Sequence, residues 1–210
     1  AADQGDVGAQ FSLAQMYESG EGVIQDNKEA AKWYHLAADQ GHARAQYKLG
    51  TIYDEGIGII QDFEEAAKWY RKAGDQGDVS SQYLLGAKYN EGIGVLQDHE
   101  ESAKWYQMAG DQGDARAQYN LGWMHANGKG TAQDFKEAIK WYTESAQQGN
   151  VNAQYNLGNL YLRGQGAAQN DKLAFSWFIK AAEQGDAPAQ YNLGRMYILG
   201  KGDDKNFLEA

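Results

Sequence analysis

Small and apolar residues occur near the start of the chain at the spacing of an α-helix. Four of them fall on one face of such a helix, at Ala9, Leu13, Met16 and Tyr17. Gly20 and Gly22 then interrupt the pattern, and glycine readily adopts backbone conformations that other residues resist. The pattern therefore predicts a first helix, helix A, over roughly Val7–Ser19, followed by a glycine-containing turn.

A second helical face follows this turn. It is formed by Ala30, Trp33, Tyr34, Ala37 and Ala38. Asp26 lies ahead of the face and Glu29 follows three positions later, which is the arrangement of a capping box at the start of a helix. Gly41 lies just beyond the face, where glycine commonly ends a helix. We predict a second helix, helix B, over roughly residues 26–40.

The unit of helix A, turn and helix B repeats with a period of 36 residues and no insertion. Glutamine marks one position of every unit, at Gln10, Gln46, Gln82, Gln118, Gln154 and Gln190. The tryptophan of helix B occurs at Trp33, Trp69, Trp105, Trp141 and Trp177. The acidic cap recurs as Asp62 with Glu65, Asp98 with Glu101 and Asp134 with Glu137. This agreement between successive units predicts a protein built from stacked helix pairs.

Stacking is required because one helix pair cannot bury its own large aromatic residues. A column of small residues in helix A permits close helix packing, and it consists of Ala14, Gly50, Gly86, Gly122, Gly158 and Gly194. We expect the tryptophan of helix B to fill the space beside this column. Truncation to alanine of a tryptophan in the middle of the stack, Trp69 or Trp105, is expected to cost about 3–5 kcal/mol.

The consensus of the unit reads A-Q-Y-x-L-G-x-x-Y-x-x-G-x-G in helix A and the turn, and A-x-x-W-Y-x-x-A-A-x-Q-G in helix B. It resembles the Sel-one-like repeat (SLR) family, whose helix–turn–helix units are related to tetratricopeptide repeats. The resemblance covers six A helices, five complete B helices and the start of a sixth at residues 206–210. His125, Thr131 and Ala167 depart from the consensus without disturbing the period. We expect residues 1–210 to form a single domain of about six repeats, and to be a fragment truncated at both ends because each terminus falls inside a unit.

The family resemblance implies an all-α fold, a right-handed α/α superhelix or solenoid in which the A helices line the concave side. It also implies a role as an adaptor or scaffold in protein complexes. The period by itself predicts only an elongated stack with a large exposed groove.

Composition and charge narrow the possible partners. Hydrophobic residues make up 42% of the chain, which excludes an unfolded protein, and no apolar run is long enough to span a membrane. The formal net charge of -10 disfavours nucleic acids and anionic membrane surfaces as partners. The absence of cysteine excludes a disulfide framework but leaves cytoplasmic, periplasmic and secreted locations all open.

Candidate catalytic motifs are incomplete. The histidines fall in different columns of the repeat, and the His99-Glu100 pair is not followed by the second histidine of a zinc-protease motif. No serine has a lysine three residues later, as a penicillin-recognising enzyme requires. The glycine turns and capping aspartates have structural explanations. We therefore expect no cofactor, no metal site and no enzymatic activity, although some cysteine-rich relatives of the family have been associated with β-lactamase activity.

Binding has a stronger signal. Positions 8, 12, 15 and 19 of the unit form a stripe on helix A that lies off the packing face and varies between repeats. We define this set as the A-helix stripe. The candidate binding residues on it are Arg44, Lys48, Arg116, Asn120, Trp123, Asn152, Asn156, Asn159, Asn192 and Arg195.

Three features of the stripe favour a peptide ligand. An asparagine ladder offers paired donors and acceptors to an extended backbone, through Asn120, Asn156 and Asn192. Arg44 and Lys48 form a basic spot that is similar to the carboxylate clamp of tetratricopeptide domains, and Arg116 with Asn120 repeats this pattern. Trp123 is the only tryptophan outside the helix-B column, and tryptophan is often a binding hot spot.

Less specific explanations remain open for the same residues. The asparagines can be simple solvated surface residues, and Trp123 can fill a gap left by His125. The leading prediction is a protein- or peptide-binding adaptor or scaffold, with a monomer favoured. The alternatives are a β-lactamase-like hydrolase and a structural spacer that self-associates through its ends.

Overall fold

The computed structural model describes residues 1–201, and the secondary structure of these residues is entirely helical. A short 3-10 turn at Ala2–Gln4 precedes the first α-helix. The A helices are α1 (Val7–Ser19), α3 (Ala43–Glu55), α5 (Val79–Glu91), α7 (Ala115–Asn127), α9 (Val151–Arg163) and α11 (Ala187–Ile198). The B helices are α2 (Asn27–Asp39), α4 (Phe63–Asp75), α6 (His99–Asp111), α8 (Phe135–Gln147) and α10 (Asp171–Glu183). The predicted start of a sixth B helix at residues 206–210 lies outside the described residues.

The chain groups into two compact units, one of Ala1–Trp105 and a second that begins at Tyr106. Each unit contains consecutive A and B helices and its own buried clusters of alanine, leucine and aromatic side chains. The predicted all-α repeat of helix pairs is therefore confirmed.

Each B helix begins at a side-chain cap, as predicted, but the capping box is only half formed. The Asp26 carboxylate accepts hydrogen bonds from the backbone N–H groups of Lys28 at 2.9 Å and Glu29 at 3.1 Å. The backbone N–H of Asp26 instead donates to the carbonyl of Tyr17 at the end of helix A, at 3.0 Å. The Glu29 carboxylate is therefore free to pair with Lys32. The equivalent backbone bonds join Asp62 to Tyr53 and Asp134 to His125, both at 2.9 Å.

The second glycine of the Gly-x-Gly turn allows consecutive repeats to touch at Gly58, Gly94 and Gly166. Gly166 has a φ of 77°, a left-handed conformation that favours glycine. A Cβ atom at this position would lie 2.5 Å from the carbonyl oxygen of Phe135, the first residue of the preceding B helix. Gly94 stands in the same relation to Phe63 in the first unit. The turn of one repeat thus packs against the start of helix B in the repeat before it.

The small-residue column of helix A packs against the aromatic residue that follows tryptophan, so the predicted tryptophan contact is wrong. A Cβ atom at Gly50 would lie 2.7 Å from ring carbons of Tyr70, in the same repeat. Trp105 lies instead over Gly74, a helix-B glycine of the preceding repeat, with its Cζ3 atom 3.0 Å from the Cβ position. The tryptophan therefore joins neighbouring B helices, while the tyrosine joins helix B to helix A.

The recurrent glutamine is buried in the first five A helices and exposed in α11, and the buried side chains form hydrogen bonds to neighbouring helices. The Gln46 side chain is 4% exposed, and its amide donates to the Ala38 carbonyl at the end of the preceding B helix, at 3.0 Å. Its own carbonyl oxygen accepts a bond from the Gln76 amide at 2.7 Å. From Gln10 to Gln154 the polar column identified in the sequence is therefore part of the core, and Gln46 connects α3 to the ends of α2 and α4.

Candidate functional site

The structure leaves the A-helix stripe accessible along the described A helices. None of the stripe positions in residues 1–201 is buried. Five of the predicted binding residues are exposed, namely Arg44, Arg116, Trp123, Asn152 and Arg195. The other five are half-buried, namely Lys48, Asn120, Asn156, Asn159 and Asn192.

A surface cavity of about 490 Å³ in the second unit brings three of these residues together. We call it the Trp123 niche. It lies between α7, α8 and α9, and it is lined by Trp123, Ala126, Asn127, Gln133, Phe135, Tyr142, Tyr155, Asn156, Asn159, Leu160, Arg163 and Gln165. Trp123, Asn156 and Asn159 were predicted from the stripe, and the other seven predicted residues do not line this cavity.

Trp123 stands at the edge of this niche and is 36% exposed. Its backbone carbonyl accepts a hydrogen bond from the Asn127 amide at 2.7 Å. The Lys129 ammonium lies 5.7 Å from the centre of the Trp123 ring, within range of a cation–π interaction. Lys129 is thus the one of these two polar neighbours that lies near the indole, while part of the ring surface stays open.

Asn156 is oriented by a tyrosine beneath the niche. Its amide donates to the hydroxyl oxygen of Tyr142 at 3.3 Å. Burial raises the pKa of Tyr142 above its ordinary value, so the hydroxyl stays neutral. The Asn156 amide is therefore presented in a defined orientation by a group that carries no charge.

The predicted binding residues did not include Gln133 and Gln165 of the turns, nor two polar residues of the A-helix stripe, Asn127 and Arg163. Both occupy position 19 of the stripe, so the signal that could have found them was present in the spacing. Arg163 is exposed and makes no ion pair with any of residues 1–201. No carboxylate lines the niche, which gives it a positive character in a chain with a formal net charge of -10.

Two of the predicted basic residues are engaged in ion pairs. The Lys48 ammonium lies 2.8 Å from the Glu18 carboxylate of the preceding A helix, which also accepts a bond from the Tyr34 hydroxyl. The Arg116 guanidinium lies 2.7 Å from the carboxylate of Asp114. Arg44 is exposed and has no acidic partner among residues 1–201.

The Asp114 carboxyl responds to Arg116. Burial alone would raise its pKa, but the hydrogen bonds from the Arg116 side chain and the Ala117 backbone outweigh burial and lower the pKa below its ordinary value. Arg116 therefore supports the start of its own helix, since Asp114 is the N-cap of α7.

The remaining predicted residues lie apart from the niche. Asn120 and Asn192 are half-buried on α7 and α11, and Asn152 is exposed in the first turn of α9. The Arg195 guanidinium lies 5.8 Å from the centre of the Tyr191 ring. The predicted asparagine ladder therefore contributes only Asn156 to the niche.

A smaller cavity of about 220 Å³ in the first unit has equivalent walls. Its lining residues are Asp54, Phe63, Leu84, Ala87, Lys88, Glu91 and Ile93. Each of these seven positions recurs two repeats later among the residues that line the Trp123 niche. We call this cavity the Glu91 niche, because Glu91 occupies the position that Arg163 holds in the second unit.

Metal sites and membrane-spanning helices have no counterpart in the described part of the chain. Within residues 1–201, no three histidine, aspartate or glutamate side chains are grouped so as to hold a metal ion. Every helix within that range is too short or too polar to cross a bilayer.

Paired helices in a 36-residue period, with niches between successive A helices, define an α/α repeat protein. The Sel1 repeat family model matches residues 7–42, 43–78, 79–114, 115–150, 151–186 and 187–210, and the chain therefore belongs to the Sel1 repeat family. The predicted family is thus confirmed. Sel1 repeat proteins are generally protein-interaction scaffolds without enzymatic activity.

Solved structures give the same fold. A protective antigen of uropathogenic Escherichia coli with an SLR fold is 37% identical over 98% of this chain, with a TM-score of 0.90. The chain spans 44% of the length of that antigen. A Sel1 repeat protein from Oxalobacter formigenes is 34% identical over 97% of this chain and 81% of its own, with a TM-score of 0.78. Among curated proteins, none matches this chain.

Proposed function

We propose that this protein is a scaffold that binds an extended segment of a partner protein on its A-helix stripe, with the Trp123 niche as the main contact. One observation carries the proposal. The niche places a partly exposed tryptophan beside the amide side chains of Asn127, Asn156 and Asn159. A large apolar surface next to several amides is the chemistry that an extended peptide requires.

The amides match the backbone of such a segment. An extended chain exposes N–H and C=O groups, and an asparagine side chain can donate to one and accept from the other. Because Asn156 is already held by Tyr142, its amide loses less rotational freedom when a ligand binds. The niche volume of about 490 Å³ lies within the range of sites that accept several side-chain-sized groups.

Trp123 provides the apolar anchor. Interface hot spots are enriched in tryptophan and are surrounded by polar contacts that exclude water. The helix-B residue Trp141 packs against Gly110 of the preceding repeat, a contact that the repeat pattern explains. Trp123 has no such packing role that the repeat dictates, which favours a contact with a partner.

The experiment selects ligands from a display library of random linear peptides and measures their affinity by fluorescence anisotropy. Trp123→Ala and Asn159→Ala are expected to weaken binding about tenfold or more, the effect of losing a hot spot. Gln147→Ala is the control, since Gln147 is an exposed amide residue on α8 that lies outside both the A-helix stripe and the niche. Equal loss in the control, or unchanged affinity in both niche variants, would exclude the proposed site.

We also propose that the chain is not a hydrolase. The four histidines lie in different columns, and the serines lack the lysine that an acyl-enzyme mechanism of this kind uses. Incubation with nitrocefin is expected to give no turnover above the rate in buffer. Hydrolysis that co-purifies with the folded protein and scales with its concentration would contradict this proposal.

A further inference from the structure

We infer that position 19 of the repeat sets the charge of the side chain that each niche accepts. The Trp123 niche takes an aspartate or glutamate of the partner through Arg163, and the Glu91 niche takes a lysine or arginine. This inference rests on the proposed function, because it specifies the ligand of the same A-helix stripe. It concerns each niche separately.

The two niches are formed by equivalent positions of the repeat that carry different side chains. The walls of the Glu91 niche recur two repeats later in the Trp123 niche, including the phenylalanine pair Phe63 and Phe135. The helices that carry the walls have the same bounds within their repeats. A difference in ligand preference must therefore come from the substituted positions and not from the backbone.

The charged side chains of Arg163 in the Trp123 niche and Lys129 beside it are both basic. Arg163 is the only charged residue among its lining residues, and it has no acidic partner in residues 1–201. Lys129 adds a second cation near the rim, 5.7 Å from the Trp123 ring. Arginine binds a carboxylate through two parallel hydrogen bonds, and the amides of Asn127 and Asn159 can donate further bonds.

The Glu91 niche has the opposite charge, because its one unpaired charged side chain is acidic. Lys88 is 6% exposed and is paired with Asp54, so these two charges cancel inside the wall. Glu91 is exposed and has no basic partner among residues 1–201. One unpaired carboxylate therefore faces this cavity, beside the apolar surfaces of Phe63 and Leu84. The aliphatic stem and the charged head of a lysine or arginine match these two surfaces.

Charge-reversal variants of the whole chain test the inference. Peptides selected from a random linear library on the wild-type protein are expected to include an acidic class and a basic class. Arg163→Glu should remove the acidic class and leave the basic class, while Glu91→Arg should do the reverse. Because both side chains are exposed, the two variants are expected to fold with nearly unchanged melting temperatures.

Affinities of single peptides sharpen the test. Replacement of the acidic residue by glutamine in a selected acidic peptide should weaken binding to the wild type by about twofold to fivefold, as expected for an ion pair at a partly exposed site. The same replacement in the peptide should leave its affinity for the Arg163→Gln variant unchanged. Added salt should weaken the acidic peptide more than its glutamine version.

The outcomes separate the inference from the proposed function. If selected peptides depend on Trp123 but show no charge preference, or keep their preference in Arg163→Glu, position 19 does not set specificity and only the proposed function survives. If no peptide depends on Trp123 or Asn159, the binding site itself is wrong and the inference falls with it.

Discussion

The side-chain amide of Gln148 donates a hydrogen bond to the Oε1 atom of buried Gln118, at 2.8 Å. The Gln118 amide in turn donates to the carbonyl of Gly110 at the end of the preceding B helix, at 3.0 Å. These bonds satisfy polar groups that the stacking of repeats would otherwise bury without partners. The buried Gln118 side chain is therefore part of the packing between successive helices.

Replacement of Gln118 by alanine is expected to reduce the free energy of unfolding by about 1–3 kcal/mol, because the carbonyl of Gly110 loses its side-chain donor inside the core. Urea unfolding followed by circular dichroism gives the value. Gln147→Ala is the control, since Gln147 is exposed on α8 and should cost almost nothing. Equal costs for the two variants would show that the relay does not stabilise the fold.

The two kinds of tryptophan should respond differently to truncation. Trp141 is 3% exposed and packs over Gly110 of the preceding repeat, so Trp141→Ala is expected to cost about 3–5 kcal/mol of unfolding free energy. Trp123→Ala should cost about 1 kcal/mol or less, as for a surface substitution. Urea unfolding of the two variants decides between these values. A large loss for Trp123→Ala would favour the alternative that it fills a gap beside His125.

These results show which parts of the packing the sequence could predict. Spacing places Trp141 and Tyr142 on the inner face of helix B, but it does not say which of the two meets Gly122. In the structure a Cβ atom at Gly122 would lie 2.7 Å from the Tyr142 ring, and the tryptophan reaches the neighbouring repeat instead. The direction of a side chain depends on the packing between helices, which the period alone does not contain.

The sequence could likewise predict part of the candidate site, namely which residues are accessible but not which of them are paired. The stripe identified Trp123, Asn156 and Asn159, because accessible positions follow from helical periodicity. The same spacing could not show that Arg116 is paired with Asp114 while Arg163 is unpaired. Ion pairs depend on the side-chain positions of neighbouring turns, and these become visible only in the folded chain.

The Gly-x-Gly turn gives a prediction about contacts between repeats. Gly166 and Gly185 both have positive φ values, of 77° and 87°, so alanine strains the backbone at either position. A Cβ atom at Gly185 would meet nothing within 4 Å, whereas at Gly166 it would clash with the carbonyl of Phe135. Gly166→Ala is therefore expected to lower the urea midpoint by clearly more than Gly185→Ala. Similar midpoints for the two variants would show that backbone strain alone explains the loss of stability, with no contribution from the contact between Gly166 and Phe135.

Buried tyrosines predict instability at alkaline pH. Burial is the main cause that raises the pKa values of Tyr34, Tyr70 and Tyr142 above the ordinary value of 10.0. Since the folded state binds these protons more tightly, their contribution to stability is complete below pH 10.0 and is lost as the pH rises above it.

A titration of the tyrosinate absorbance, run in parallel with circular dichroism, checks this expectation. Ionisation of part of the tyrosine population should coincide with loss of helix. Tyr142→Phe should shift alkaline unfolding to higher pH, because one of the groups that drives it is removed. Ionisation of all tyrosines with full retention of helix would contradict the assigned burial.

The most direct test of the central claim follows the tryptophan indole N–H resonances by NMR while a selected peptide is added. The Trp123 resonance is expected to shift and to saturate as the peptide is added. The Trp177 resonance, from a half-buried helix-B residue outside the niche, should stay in place. Saturable shifts at Trp177 with none at Trp123 would place the binding surface on helix B and contradict the account.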